Sequence, residues 1–181
     1  MANERKAIGL LLKNNPGALS RISGLFCRRN FNIDSITSSA TTDPAVTRVT
    51  ITIHDDETVL RQLMLQTARL EDVIEVFFLE PEHTLQRELL LVKLSATVNN
   101  RSELREIAAI YKAKIIDLTP ESMVFELTGA PQKIDAFLAM LEGYTILEMC
   151  RTGITAMERG PVRVHNRKPA ETLRPEPEIL E

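Results

Sequence analysis

A short apolar run ends in a corner of Asn, Pro and Gly, and this junction constrains the fold more than any other stretch of the chain. The run covers residues 8–12 and is followed by Asn14-Asn15-Pro16-Gly17. After the corner, apolar residues recur with the one-sided spacing of a helix. A strand, tight loop and helix start in this order leave several backbone N–H groups unpaired at the positive end of the helix dipole. The corner is therefore suited to hold a carboxylate or a phosphate.

The stretch over residues 6–80 predicts six elements in the order β-α-β-β-α-β, which is the ferredoxin-like arrangement. In the third predicted strand, Val49, Ile51 and Ile53 alternate with polar side chains. This period predicts a sheet with one apolar, covered face and one polar, solvated face. Asp55-Asp56 supplies a cap for the second helix. The predicted strands cover residues 6–12, 33–41, 46–53 and 73–79, and the first helix runs to about residue 29.

A second copy of the same topology follows a polar break at Glu80-Pro81-Glu82-His83. Asn100 and Glu103 have the spacing of a capping box at the start of one helix, and Pro131 is suited to the first turn of the other. The last strand is predicted over residues 145–156. We therefore predict an α+β chain of two ferredoxin-like domains, residues 6–80 and 84–159, and a proline-rich, disordered tail over 160–181.

Composition argues against several classes of protein. The net charge of -3 provides no surplus of Lys and Arg for a general nucleic-acid binder. Cys27 and Cys150 lie in apolar patterns, which predicts two buried free thiols in a reducing compartment. No apolar run approaches the roughly 20 residues of a membrane span, and no apolar signal core follows the N-terminus. We therefore expect a cytoplasmic protein with no membrane partner.

The sequence contains no arrangement typical of a metal centre or an active site. His54, His83 and the two cysteines lack spacings such as C-x₂-C or H-x₃-H. The G-x-S-x-G, P-loop and H-E-x-x-H patterns are absent from the sequence. We therefore predict no catalytic residues and no metal site in this chain.

Several blocks together resemble one known family. LLKNNPGALSRISGLF at 11–26 and RNFNIDSI at 29–36 resemble the N-terminal ACT domain of the small, regulatory subunit of acetolactate synthase (acetohydroxyacid synthase). RELLLVKL at 87–94, IIDLTPES at 115–122, KIDAFL at 133–138 and AMERG at 156–160 resemble the C-terminal domain of the same family. The corner alone would be a weak signal that many ACT domains share, but the collinear blocks are specific.

This resemblance implies an N-terminal ACT domain, a second ACT-like domain and no enzymatic activity in the chain itself. It implies a large catalytic subunit as partner, which carries thiamine diphosphate, Mg²⁺ and FAD and condenses pyruvate with pyruvate or 2-oxobutyrate. The small subunit is expected to raise that activity and to confer feedback inhibition by a branched-chain amino acid, typically valine. A homodimer is also expected, because ACT sheets usually pair edge to edge and an unpaired edge strand is a liability.

Carried over position by position, the family's effector residues fall on Asn14, Gly17 and Asn32. The Asn14 amide can accept from an ammonium and donate to a carboxylate, while Gly17 admits a ligand close to its own N–H and that of Ala18. We expect Asn32 to complete the site across a dimer interface. Candidates for an apolar wall are Leu19 and Ile33.

The same residues also permit a purely structural role and two different functions. Spacing alone is compatible with an ordinary strand-to-helix turn at the corner, and an Asn after a helix often only caps it. A free-standing ACT-type amino-acid sensor acting on another partner is a second function. An RNA-binding module of the same topology is a third, which the absence of aromatic residues from the first and third predicted strands disfavours.

Overall fold

The computed structural model describes residues 5–161, except for the side chain of Glu57. The predicted disordered tail therefore lies, beyond residue 161, outside the described part of the chain. The described residues divide into two compact units: residues 5–85 together with 156–161, and residues 86–155. The fold is α+β, with two antiparallel sheets and four helices among the described residues.

The first unit is built around its first strand, β1 (Arg5–Lys13), which lies inside a four-stranded antiparallel sheet with β2 (Ser35–Ala40), β3 (Val46–His54) and β4 (Val73–Phe78), in the order β2-β3-β1-β4. Residues 7–12 of that strand are all buried, as expected of an apolar run that is covered on both faces. The predicted β-α-β-β-α-β order is confirmed. The elements are β1 (Arg5–Lys13), α1 (Ala18–Arg28), β2 (Ser35–Ala40), β3 (Val46–His54), α2 (Glu57–Thr67) and β4 (Val73–Phe78).

Both helices of the first unit begin where the sequence indicates. Asp56 caps α2, since its Oδ1 accepts from the backbone N–H of Thr58 at 2.8 Å. Helix α1 buries Ala18, Ile22 and Phe26, which are spaced one turn apart and so lie on one side. The core they join also contains side chains of β1, β3, β4 and α2: Ile8, Leu10, Leu12, Val49, Ile51, Ile53, Leu60, Leu63, Met64 and Val76.

The prediction of a solvated second sheet face in the first unit is wrong. Thr50 and Thr52 on that face are only 4% and 2% exposed. Phe77 of β4 is fully buried, and the guanidinium of Arg48 lies over its ring at 5.3 Å from the centroid. Arg48 Nη2 also donates to the carbonyl oxygen of Ala156 at 2.9 Å. Ala156 lies more than a hundred residues after Arg48 in the sequence. Alternation of residues within one strand gives no indication of such a distant contact.

The second unit repeats the topology with a sheet of four strands, β5 (Thr84–Ser95), β6 (Lys114–Leu118), β7 (Ser122–Gly129) and β8 (Ile146–Arg151), in the order β6-β7-β5-β8. The core of this unit is formed by one face of that sheet and by two helices, with Phe125 and Phe137 packed edge to face at 6.4 Å between ring centroids. The remaining elements of the chain are β5 (Thr84–Ser95), α3 (Arg101–Tyr111), β6 (Lys114–Leu118), β7 (Ser122–Gly129), α4 (Pro131–Met140), β8 (Ile146–Arg151) and β9 (Thr155–Glu158).

Two local predictions in this part of the chain are wrong. The capping box does not form, because Asn100 has near-helical dihedral angles and its Oδ1 accepts instead from the backbone N–H of Thr97 at 2.7 Å. The predicted last strand over 145–156 is two strands, β8 and β9, separated by Gly153 with a φ of 80°. A residue in this left-handed region interrupts an extended strand. The start of α4 at Pro131 is confirmed.

The prediction that both cysteines are buried is also wrong, since Cys27 and Cys150 are free and exposed. Cys27 follows Phe26 on α1 and so points away from the buried side of that helix. Cys150 lies on the edge strand β8 opposite Leu91, on the sheet face turned away from the buried Val92.

Candidate functional site

The corner after β1 forms one wall of a cleft of about 180 Å³. The other wall comes from β2 and β3, because β3 pairs with β1 and places Thr47 directly opposite Leu12. Four of the six predicted effector residues line this cleft, namely Asn14, Gly17, Ala18 and Leu19. The remaining lining residues are Leu12, Lys13, Asn15, Ser20, Ser38 and Thr47.

Gly17 is the N-cap of α1 and has a left-handed conformation, with φ 82° and ψ -2°. A side chain is disfavoured at this φ, so the glycine has a conformational reason to be there. Because Gly17 offers no capping side chain, the N–H groups of Leu19 and Ser20 have no acceptor among residues 5–161. The N–H of Ala18, in contrast, donates to the carbonyl oxygen of Asn15 at 3.3 Å. The helix start therefore has open donors, as the sequence predicts, but they include the N–H groups of Leu19 and Ser20, whereas the predicted donor at Ala18 is already used.

Asn14 is fixed by the loop between β2 and β3. Its Nδ2 donates to the carbonyl oxygen of Pro44 at 3.0 Å, and its Oδ1 accepts from the hydroxyl of Thr47 at 3.1 Å. Its backbone N–H donates to the carbonyl oxygen of Ala45 at 2.8 Å. A side-chain amide has two hydrogens and two acceptor positions, so Asn14 keeps one of each for a ligand.

The electrostatics of the cleft favour an anion. Its lining includes the exposed Lys13 and the N-terminus of α1, and none of its lining residues is acidic. The N-terminus of a helix carries about half a positive charge. Hydroxyl groups of Ser20, Ser38 and Thr47 add neutral donors and acceptors. This combination suits a small molecule that has a carboxylate and also needs acceptors nearby.

Asp72, in the turn before β4, bonds to the corner but does not line the cleft. Its Oδ2 accepts from Arg21 Nε at 2.5 Å and its Oδ1 from Asn15 Nδ2 at 3.3 Å. The ion pair with Arg21 lowers the pKa of the Asp72 carboxyl, while burial acts in the opposite direction and Asn15 contributes further lowering. Asp72 is only 6% exposed and remains charged at neutral pH.

The other two predicted site residues, Asn32 and Ile33, lie elsewhere in the first unit. They line a second, more open cleft of about 400 Å³ at the C-terminal end of α1. Helix α1 has 11 residues, so its two ends are about 16 Å apart. Within one chain, a single amino acid cannot span that distance. The second cleft is also lined by Ser23, Phe26, Cys27, Asn30 and Phe31.

Sequence reasoning missed Thr47, Ser38 and Asp72. The predicted topology held a signal for Thr47, because a strand order with β1 beside β3 brings the end of one next to the start of the other. Ser38 follows from the same reasoning through the pairing of β2 with β3. Asp72 had no such signal, since an acidic residue in a turn before a strand is ordinary.

The described residues contain neither a cluster of metal ligands nor a membrane-spanning helix. Within residues 5–161, no group of three or more His, Cys, Asp or Glu side chains could hold a metal ion. No helix in the same range is long and apolar enough to cross a membrane.

Two family models match the chain and together cover most of it. The model described as "AHAS small subunit-like ACT domain" matches residues 8–75, which include the corner and its cleft. The model described as "Small subunit of acetolactate synthase" matches residues 87–160.

Curated relatives and one solved structure agree with these matches. The chain is 42% identical over 161 residues to a probable acetolactate synthase small subunit of Methanothermobacter thermautotrophicus, covering 88% of this chain and 96% of the relative. It is 40% identical to the acetolactate synthase small subunit of Haemophilus influenzae over 86% of this chain and 96% of that protein. The crystal structure of the Thermotoga maritima small subunit superposes with a TM-score of 0.78 at 33% identity, over 88% and 99% of the two chains.

Proposed function

The chain belongs to the family of acetolactate synthase small subunits, and from this membership we propose that it regulates a separate catalytic subunit in response to a branched-chain amino acid, typically valine. The catalytic subunit is proposed to carry thiamine diphosphate, Mg²⁺ and FAD, so the chemistry takes place outside this chain. The small subunit raises that activity, and binding of the effector lowers it again.

The observation that carries the proposal is the match between the cleft at Asn14 and the two charges of an amino acid. The free N–H groups of Leu19 and Ser20, at the start of α1, suit the effector carboxylate. The remaining acceptor position on the Asn14 amide, together with the hydroxyl of Ser38, suits the effector ammonium. Donors for a carboxylate and acceptors for an ammonium therefore line the same cleft, as the binding of a zwitterion requires.

Size and apolar lining support a small aliphatic effector. The cleft of about 180 Å³ is smaller than the roughly 300–1,000 Å³ of pockets that take drug-sized ligands. Leu19 lines it and is 40% exposed, so its side chain is available to cover a branched aliphatic group. Covering such a group would remove apolar surface of both partners from water.

The separation of the two clefts supports a homodimeric site. Asn32 and Ile33 lie at the opposite end of α1 from Asn14 and Gly17. If all these residues contact one effector, those at the two ends of α1 must come from different chains. We propose that the second cleft of one chain meets the corner of its partner, as a two-fold symmetric pairing permits.

The RNA-binding alternative is disfavoured by the first unit's sheet. RNA-recognition domains of this topology stack bases on exposed aromatic residues of the sheet. Here the sheet face away from the helices is covered, and Phe77 on it is 0% exposed. Thr50 and Thr52 of the central strand β3 are also buried. A free-standing amino-acid sensor differs from the proposal only in its partner, which an experiment can decide.

The deciding experiment is reconstitution of the holoenzyme. The full chain is added to the catalytic subunit from the same organism, and acetolactate formation is measured with and without millimolar L-valine. We expect the chain to raise the rate and valine to lower it towards that of the catalytic subunit alone. Rates that do not respond to the added chain would contradict the proposal.

Two controls separate the alternatives. L-Leucine and L-isoleucine, tested at the same concentration, show which branched side chain the cleft prefers. Affinity capture with the tagged chain should recover the catalytic subunit. Capture of a different enzyme in its place would favour the free-standing sensor.

A further inference from the structure

Asp72 is a buried residue that bonds to the corner and to the two elements that flank it. Its backbone carbonyl oxygen accepts from the N–H of Lys13 at 2.8 Å, at the end of β1. Its two carboxylate oxygens accept from Asn15 within the corner and from Arg21 in the second turn of α1. One residue therefore ties together the strand, the loop and the helix that define the cleft wall.

The irregular pairing of β1 with β4 explains why Asp72 forms bonds at this point. The register of that pair shifts between Leu11 and Leu12, so the regular pairing is interrupted just before the corner. Asp72 lies directly before β4, and its carbonyl restores a hydrogen bond at Lys13 beyond the shift. Its side chain then extends the connection into a segment that no sheet hydrogen bond reaches.

Arg21 connects Asp72 to the N-terminus of α1. Its side chain is about half exposed, and a Cβ on Gly17 would lie 3.2 Å from its Nη1. The guanidinium thus lies beneath the left-handed glycine, held there by Asp72. A carboxylate paired with Arg in this way is more strongly oriented than one with neutral donors.

We propose that Asp72 is a positioning residue for effector binding, which holds Asn14 and the first turn of α1 at the separation that an amino-acid zwitterion requires. The inference rests on the proposed function. Asp72 does not line the cleft and so acts through Arg21 and Asn15. The ion pair with Arg21 lowers the pKa of the Asp72 carboxyl, so the carboxylate is charged at neutral pH.

The test compares Asp72→Asn with a control of similar burial. Asparagine keeps the shape and the backbone bond to Lys13, but it loses the charge that orients Arg21. The control is Glu88→Gln, because Glu88 has a side chain 3% exposed and is likewise paired with an arginine, Arg151. Glu88 lies on β5, outside both clefts. Both variants are prepared as full chains, and L-valine binding is measured by calorimetry beside inhibition of the reconstituted holoenzyme.

We expect Asp72→Asn to weaken L-valine binding roughly tenfold and Glu88→Gln to leave it unchanged at a comparable loss of thermal stability. Arg21→Gln should weaken binding similarly, and the double variant should be no worse than either single one, because both changes break the same connection. If Asp72→Asn does not fold, Arg21→Gln alone decides, since the Arg21 side chain is half exposed and glutamine keeps an N–H donor for the Asp72 carboxylate.

Three outcomes would overturn the inference. Unchanged valine affinity in Asp72→Asn or in Arg21→Gln would show that effector binding does not depend on the connection between Asp72 and Arg21. Equal weakening in Glu88→Gln would show a general effect of lost stability. Absence of valine binding and inhibition in the wild-type chain would contradict the proposed function itself, and the inference with it.

Discussion

The hydroxyl of Thr47 donates to the side-chain oxygen of Asn14 at 3.1 Å. Thr47 is the second residue of β3, and Asn14 directly follows β1. This bond orients the amide of Asn14 so that its remaining acceptor position and its remaining N–H are both available. Replacing a hydroxyl by a methyl group should therefore change ligand binding more than it changes the fold.

The first prediction concerns Thr47→Val, which keeps the branched shape and removes the hydrogen bond. We expect inhibition by L-valine to require a roughly two- to tenfold higher concentration, as for one lost neutral hydrogen bond. Thr58→Val is the matched control, because Thr58 is exposed on α2 and lies outside the cleft. An equal response of the two variants would remove Thr47 from the site.

The second prediction uses three substitutions of Gly17 to separate charge from shape. Any side chain at this residue takes a φ of 82° and meets Arg21, at a cost of about 1–2 kcal/mol. Gly17→Asp adds a negative charge where the effector carboxylate is proposed to bind, so it should abolish inhibition by L-valine. Gly17→Asn has nearly the same shape without the charge and should retain part of the inhibition, as should Gly17→Ala.

Co-purification with the catalytic subunit shows whether each Gly17 variant still folds and assembles. Inhibition of Gly17→Asp equal to that of Gly17→Asn would mean that charge at residue 17 does not matter. The carboxylate site would then lie elsewhere.

The third prediction tests whether the site is shared between two chains. Asn14→Ala and Asn32→Ala should each abolish valine binding. In a mixed dimer, which contains one chain of each variant, one site would carry both substitutions and the other site would carry neither. Half of a randomly mixed population is mixed dimer, so roughly a quarter of all sites should recover binding. Calorimetry on co-refolded chains measures this recovery, and its absence would contradict a site shared between two chains.

Much of this architecture was accessible from sequence because it is encoded locally. The apolar run of β1, the one-turn spacing of Ala18, Ile22 and Phe26, and the cap at Asp56 each act within one element. Which distant segment covers an element is not encoded in this way. On the buried face that carries Thr50, Arg48 bonds to Ala156. A period of two within β3 is the same whether that face is covered or solvated.

The candidate site is likewise encoded partly by local sequence and partly by contacts between distant segments. Asn14, Gly17, Ala18 and Leu19 are close in sequence and line one cleft. The family resemblance groups Asn32 with them, yet a helix of 11 residues separates it from the corner. Asp72 comes from a turn that follows α2, and only the tertiary structure brings its carboxylate to Arg21.

The fourth prediction is a pH dependence of stability caused by Asp72. Its pKa in the folded chain is lowered by Arg21, below the value of about 3.9 in an unfolded chain. A carboxyl of this kind stabilises the fold fully above the unfolded value, and the contribution is lost as the pH falls through the folded one. The free energies of unfolding of wild type and Asp72→Asn should therefore differ at neutral pH and converge below about pH 4.

Urea unfolding at a series of pH values measures this convergence. Glu148→Gln serves as the control, because Glu148 is paired with Lys93 but has a side chain 71% exposed. An exposed pair of this kind is expected to change stability little at any pH. If the free energies of unfolding of Asp72→Asn and wild type differed by a constant amount down to about pH 3, the cause would be packing rather than charge.

The fifth prediction compares the same substitution at two glycines. Gly9 of β1 lies opposite Phe77 of β4, and a Cβ on Gly9 would overlap the fully buried Phe77 ring. The guanidinium of Arg48 lies over that ring, so the ring helps to cover the second face of the sheet. Gly9→Ala should therefore destabilise the chain by about 1–3 kcal/mol, as overpacking does.

Gly24, in contrast, lies inside α1, where an added Cβ would have an ordinary contact at 3.5 Å from Arg28 Nη1. Gly24→Ala should stabilise the chain by about 0.5–1 kcal/mol through the lower entropy of its unfolded state. Opposite signs in urea unfolding would show that Gly9 is required by the close approach of Phe77. A neutral Gly9→Ala would mean that the ring can move aside and that the second face of the sheet does not depend on its position.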